Sequence, residues 1–233
     1  MKQKIQTPAG VYTYTFRPLF AGIKPIDKAI ARENLFILKD VCDSAGLKFI
    51  LFYGTLLGAV REHDFITHDE DIDLVMRKED RETFLSQLFR LRELGFEVAR
   101  EDERGILSII RRGEYIDIYW YETYEQDTRL KFCSRNICKR EYIDELAELD
   151  FLGRPFYVPR EYVAFLEYYY GKNWRTPIKQ FDFQMSKWQL RKLYAIAYLK
   201  LLLPKWMTRS ALYGKTERER AEWLRHLYEV EKF

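Results

Sequence analysis

The sequence predicts an α/β fold: one mixed sheet with helices packed on it, followed by a basic helical extension. Three observations carry this expectation. Short apolar runs rich in β-branched and aromatic residues alternate with stretches whose apolar residues recur at helical spacing. Three strand-like runs follow one another between Phe96 and Tyr121, parted by charged turns at Gly105 and Gly113, the pattern of a meander. Beyond Pro177 the chain turns helical and basic. At 233 residues, with 47% hydrophobic and 32% charged residues, it can bury a substantial core, and one domain with an appended segment is the natural division.

Taken in order, residues 1–25 read as an irregular N-terminal segment, with Pro18 and Pro25 as breakers. Ile26 to Ala45 places Ile30, Leu35, Leu38 and Val41 near helical spacing, and Gly46 supplies a stop. Lys48 to Tyr53 is a short apolar run, read as a buried strand that turns sharply at Gly54 into a short helix over GTLLGAV. Asp71 to Met76 is a second strand. Glu79 to Leu94 carries the stripe Phe84, Leu85, Leu88, Leu91 and ends at Gly95, which predicts a helix. A strand pair is expected around Gly153 and Pro155, then a helix from Arg160 to Tyr170; Pro204 separates a helix over Gln189 to Leu203 from the last part of the chain. The division is therefore 1–25, a catalytic domain over 26–180, and a basic helical extension over 181–233.

The net charge of +3 is too balanced for a protein that binds long nucleic-acid phosphate tracts, so nucleic acid is not expected as a partner. That total hides an asymmetry. Residues 187–220 hold nine basic and two acidic side chains, a balance of +7, which leaves 3 − 7 = −4 for the rest of the chain. A basic stretch containing LYAIAYLKLLLPKW has the composition of an interfacial helix, which makes peripheral contact with an anionic membrane one reading and a solvated helix the other. Three cysteines suit a reducing compartment, and neither a secretory leader nor a spanning segment is visible. The expected location is the cytoplasm, on the inner face of the membrane if the basic tail binds lipid.

Acid is densest between Glu62 and Asp73. On an extended strand Asp71 and Asp73 project to one side while Ile72 and Leu74 face the other. Carboxylates crowded together in a partly buried place repel one another, and a chain that keeps them there commonly holds a cation between them; hard oxygen donors suit Mg²⁺ or Mn²⁺. Asp117, framed by Ile116 and Ile118, is a third acid in an apolar strand. Upstream, Gly54 and Thr55 offer a small residue, backbone N–H groups and a hydroxyl where a phosphate could approach. Together these marks read as a metal and phosphate site.

In that order, the motifs resemble the nucleotidyltransferase superfamily, and GTLLGAVRE..FI..DEDIDL, residues 54–74, is similar to the LicD family. Family members typically read GTLLGAVRHxGFIPWDDDIDL. FLGRPFYVPREYVAFLE followed by YYGKNWRTP, residues 151–177, resembles the end of LicD domains. The chain departs from the pattern at Glu62, His63 and Asp64, and at Thr67 and His68, where Pro-Trp is common. The resemblance implies a nucleotidyltransferase-like core and a metal-dependent transferase. It would move phosphocholine or a similar phospho-substituent from a CDP-linked donor to a hydroxyl of a cell-surface glycan such as lipopolysaccharide, capsule or teichoic acid. It implies metal ligation and catalysis by Asp71 and Asp73, with Asp117 completing the metal site or accepting the attacking hydroxyl's proton, and phosphate contact by Gly54 and Thr55. Arg61 is either a phosphate clamp or a structural partner of a nearby acid. Asp69 and His68 are secondary candidates. The alternatives are a nucleotidyltransferase moving NMP from NTP to a small alcohol, and an inactive scaffold that binds glycan or lipid.

Overall fold

The computed structural model describes residues 1–20, 23–102, 104–177 and 185–231. Its first element corrects the expectation of an irregular opening: β1 (Lys2–Thr7) and β2 (Gly10–Thr15) form an antiparallel hairpin, Ile5 facing Tyr12. Only Ile5, Tyr12 and Tyr14 are buried, among Lys, Gln and Thr residues, so the alternation is too sparse to read from sequence. The Arg92 guanidinium lies 3.8 Å over the Tyr12 ring and donates to the Thr13 carbonyl, fixing the hairpin to the domain.

Helix α1 (Lys28–Ser44) begins at Asp27, whose carboxylate accepts from the Ala29 and Ile30 N–H groups, and it buries Leu35, Leu38, Val41 and Cys42. The next strand is shorter than expected: β3 is only Ile50–Leu51. The chain leaves the sheet at Tyr53, whose φ of +43° makes the sharp turn into α2 (Tyr53–Arg61). Strand β4 (Ile72–Arg77) follows. The helix expected over 79–94 is broken. A 3-10 turn at Lys78–Asp80 leads to α3 (Arg81–Ser86) and α4 (Leu88–Glu93), parted at Gln87, yet the stripe Phe84, Leu85, Leu88, Leu91 is buried as predicted.

The meander is present as β5 (Glu97–Asp102), β6 (Ile106–Arg111) and β7 (Glu114–Thr123). A hairpin, β8 (Leu130–Cys133) and β9 (Asn136–Lys139), and a one-turn helix α5 (Glu141–Asp144) follow; neither is announced by the sequence, whose charged residues here obscure any period. The expected strand pair is β10 (Leu146–Phe151) and β11 (Arg154–Pro159), and α6 (Tyr162–Tyr170) comes next. The sheet runs β10-β11-β3-β4-β7-β6-β5, with β8 branching from the end of β7. Strand β4 lies in the middle, antiparallel to β3 and parallel to β7.

The extension forms α7 (Lys187–Leu202), opened by a capping box between Ser186 and Gln189, and α8 (Lys205–Glu231). The proposed boundary at residue 180 lies outside the described residues. Helix α8 docks on the domain: Leu227 and Thr216 are buried, and Arg220 donates to the Ser134 carbonyl while its guanidinium lies 4.1 Å over Phe132.

Candidate active site

Register decides which polar residues share a face. Asp73 of β4 sits opposite Asp117 of β7, Asp117 opposite Ser108 of β6, and Ser108 opposite Arg100 of β5. Side chains at paired positions project to the same side, so four residues far apart in sequence form one polar row across four strands. One end of the row is fully bonded. Arg100 donates to Asp117 Oδ2 at 2.8 Å and to Ser108 Oγ at 2.8 Å, and Ser108 donates to Asp117 Oδ1.

The other end is not. Burial, then the Asp117 and Asp69 charges, push the Asp71 carboxyl well above the ordinary range, against a hydrogen bond from Tyr115. Burial, then Asp71, Asp69 and Asp117, do the same to Asp73, opposed by Tyr119. Burial also lifts Asp69, to about 6. Among the described residues, no lysine or arginine forms an ion pair with Asp71 or Asp73. Sequence reasoning does not assign Tyr115 and Tyr119 to the acids although the signal is present: with period two, Tyr115, Asp117 and Tyr119 fall on one face of β7. Ser108 and Arg100 carried no such signal, because only the strand order brings them to Asp117.

The upstream residues each have partners within the chain. Thr55 is 1% exposed, and its hydroxyl accepts the Asp73 N–H at 2.8 Å, so it fixes the acid strand against α2 and is not open to a phosphate. Gly54 faces Asp69: a Cβ at Gly54 would overlap Asp69 Oδ2. Its smallness therefore admits a carboxylate beside the first turn of α2. Arg61 takes the structural of its two readings, donating to Glu62 Oε1 at 3.0 Å and to the Trp174 carbonyl at 3.1 Å, which ties α2 to the GKNWRTP segment. His68 is exposed on the turn at 67–68, on the same loop as Asp69 but outside the polar row.

The donor set fits a divalent cation in part. Asp71 and Asp73 supply hard, crowded oxygens with no pairing cation, the set Mg²⁺ or Mn²⁺ takes together with substrate phosphate. Asp117, the third acid expected to join them, has each of its oxygens hydrogen-bonded, one by Arg100 and the other by Ser108. Among the described residues, no three His, Cys, Asp or Glu side chains are gathered closely enough to hold a metal unaided.

A polar row of this kind, entered from a strand-turn-helix, sits inside residues 46–161, which match the family model described as LicD/FKTN/FKRP, nucleotidyltransferase domain. Through these residues the chain belongs to the LicD family. The LicD segment contains Gly54, Thr55, Arg61, Asp69, Asp71, Asp73 and Asp117, and it gives the mixed sheet its identity as a nucleotidyltransferase-like fold. Among curated relatives, ribitol-5-phosphate transferase FKTN of Macaca fascicularis is 25% identical over 172 residues, that of Homo sapiens 24% over 172, and that of Mus musculus 27% over 167. Each match covers 67% of this chain and 35% of the relative, so the chain spans about a third of the length of the curated relatives it matches. Among solved structures, the antibiotic-resistance factor ANT(2'')-Ia in solution aligns with a TM-score of 0.48 at 17% identity, over 88% of this chain and 97% of that one. The lincomycin-bound lincosamide adenylyltransferase LnuA aligns with a TM-score of 0.42 at 11% identity, over 57% and 83%.

Proposed function

We propose that this LicD-family chain transfers a substituted phosphate group from a CDP-linked donor to a hydroxyl of a glycan, with CMP as the leaving group. The observation that carries the reading is the crowding of half-buried Asp71 and buried Asp73 among carboxylates, held in place at a cost that folding alone does not require. Asp71 and Asp73 would hold Mg²⁺ or Mn²⁺ against the donor's diphosphate. When bound, that cation would neutralise the charge developing on the leaving phosphate.

The chain's own groups do the rest. Thr55 and the pairing of β4 with β7 fix Asp73 on a rigid strand, with Asp71 immediately before its first residue, which limits reorganisation during transfer. Tyr115 and Tyr119 orient the carboxylates by hydrogen bonds. Asp69, placed against Gly54 and acting on both acids, is our candidate to take the proton of the attacking hydroxyl. Asp117 serves as a positioning residue, anchoring Arg100 at the far end of the row.

The test is product analysis. The chain is incubated with Mg²⁺, an oligosaccharide acceptor and CDP-choline, CDP-ribitol or CDP-glycerol in turn. CMP released together with a phosphorylated glycan supports the reading; pyrophosphate released from NTP, with no CMP from any CDP donor, replaces it with nucleotidyl transfer.

A finer proposal concerns location. Helix α7 exposes Trp188, Leu199 and Leu202 alongside Lys187, Arg191, Lys192 and Lys200, and Trp206 is 73% exposed at the start of α8. Apolar and aromatic side chains interleaved with cations suit the surface of an anionic bilayer. Among the described residues, no helix is long and apolar enough to cross a membrane. Salt-sensitive flotation with anionic vesicles, lost when Trp188 and Trp206 are both replaced by Ala, would support this; no flotation would remove it.

A further inference from the structure

A second concave site lies where the extension meets the domain. A cavity of 440 Å³ is lined by Arg135, from the β8–β9 turn, and by Glu219, Glu222, Trp223 and His226 of α8. Its position relative to the acids is fixed by an aromatic relay. The Trp223 ring stacks on Tyr169, centroids 5.2 Å apart and planes 10° from parallel; Tyr169 lies 4.8 Å from Tyr53, the residue that opens α2 beside Gly54. The Tyr169 hydroxyl feels the Asp73 carboxylate and the Arg135 guanidinium together. Cavity and acid pair therefore flank one short stack of rings.

The lining narrows the ligand. Arg135 and Lys215 lie 3.9 and 3.6 Å from Glu219, so most of the charge is internally balanced, and Glu222 adds an acceptor that disfavours a phosphate. Arg135, the Trp223 indole and His226 can donate, Glu219 and Glu222 accept, and the indole supplies an apolar patch. A neutral sugar ring matches this set, with hydroxyls that donate and accept and a C–H face that packs on an aromatic ring. A nucleotide's phosphates would meet carboxylates here instead of cations.

We propose that this cavity is a saccharide subsite that seats the acceptor glycan while its reacting hydroxyl reaches toward Asp73. Its role as an acceptor site rests on the transferase reading above; its affinity for sugar does not. The test uses the full chain with maltotriose, chitotriose and lactose as probes in saturation-transfer NMR. At least one saccharide should receive saturation on its ring protons. Trp223→Ala should weaken binding about tenfold through loss of the ring contact, and Glu222→Gln about fivefold through loss of a charged acceptor. Should Trp223→Ala fail to fold, the exposed Glu222→Gln carries the test alone. Asp73→Asn should leave sugar binding intact. Saccharide binding without CMP release would thus sink the catalytic reading, and with it the acceptor role, and spare the saccharide site itself. No saturation of any probe, a signal indifferent to both α8 substitutions, or displacement of the sugar by CMP would each overturn it.

Discussion

Two acidic sites in this molecule, a single aspartate and a cluster, have opposite fates. Asp144 of α5 is met by Lys131 at 2.7 Å, by Arg140 at 2.7 Å and by Arg77 at 3.7 Å. Burial would raise its carboxyl, yet the hydrogen bonds from Lys131 and Arg140 win, and it lies below the ordinary range. Asp73 is buried and Asp71 half-buried against other carboxylates, with tyrosine hydroxyls as their chief relief, and both are driven upward. A fold that required only stability would treat both acids as it treats Asp144. The difference separates a carboxylate that holds the structure together from carboxylates that, in the proposed function, are kept for a ligand.

The contrast breaks most sharply under substitution. Asp73→Asn should lower CMP release by about 10³-fold, the scale for removing a group that stabilises charge in the transition state, while raising the melting temperature by about 3 °C through relief of about 1 kcal/mol of repulsion. Asp144→Asn should do the reverse. It strands the buried Lys131 ammonium and should cost about 3 kcal/mol in denaturant unfolding, with turnover per folded molecule within about twofold of the parent. A loss of stability in Asp73→Asn as large as that in Asp144→Asn would erase the distinction.

Thr55→Val probes the link between the sites' surroundings and their chemistry. It leaves the buried Asp73 N–H without an acceptor, which should cost about 2 kcal/mol of stability and lower activity as the acid strand shifts. A milder effect is expected from pH. The folded pKa of Asp69 is raised to about 6, so its favourable contribution is complete below the unfolded value near 4 and is lost as pH rises through 6. The lowered Asp144 contributes above its unfolded pKa and is lost only in more acidic solution. Between pH 7.5 and 5, metal-free protein should therefore gain thermal stability relative to Asp69→Asn, a difference read by calorimetry. The smallest effect is that of His68→Ala, an exposed loop residue, which should leave turnover within about twofold.

The sequence by itself determined the class of fold, the meander, the α2 motif and the identity of the acids, because each rests on a local pattern: period two, period 3.6, or a glycine after a short apolar run. Local pattern also placed Asp73 on a strand, which begins at Ile72, one residue later than expected, and leaves Asp71 just before it. It did not reveal the β1–β2 hairpin or the β8–β9 hairpin, where too few residues are buried or too many charges interrupt the alternation. Nor could it tell how each polar group would be used. Thr55 became a strap for Asp73, Arg61 a tie to Trp174, and Asp117 the partner of Arg100, since these pairings depend on which strands lie side by side. Strand order is set by long-range packing, in which residues 17 to 113 positions apart meet only once the core has closed. The chain's local periodicities fixed which residues face inward. Tertiary structure alone decided which acids pair with a lysine or arginine and which lie against other carboxylates.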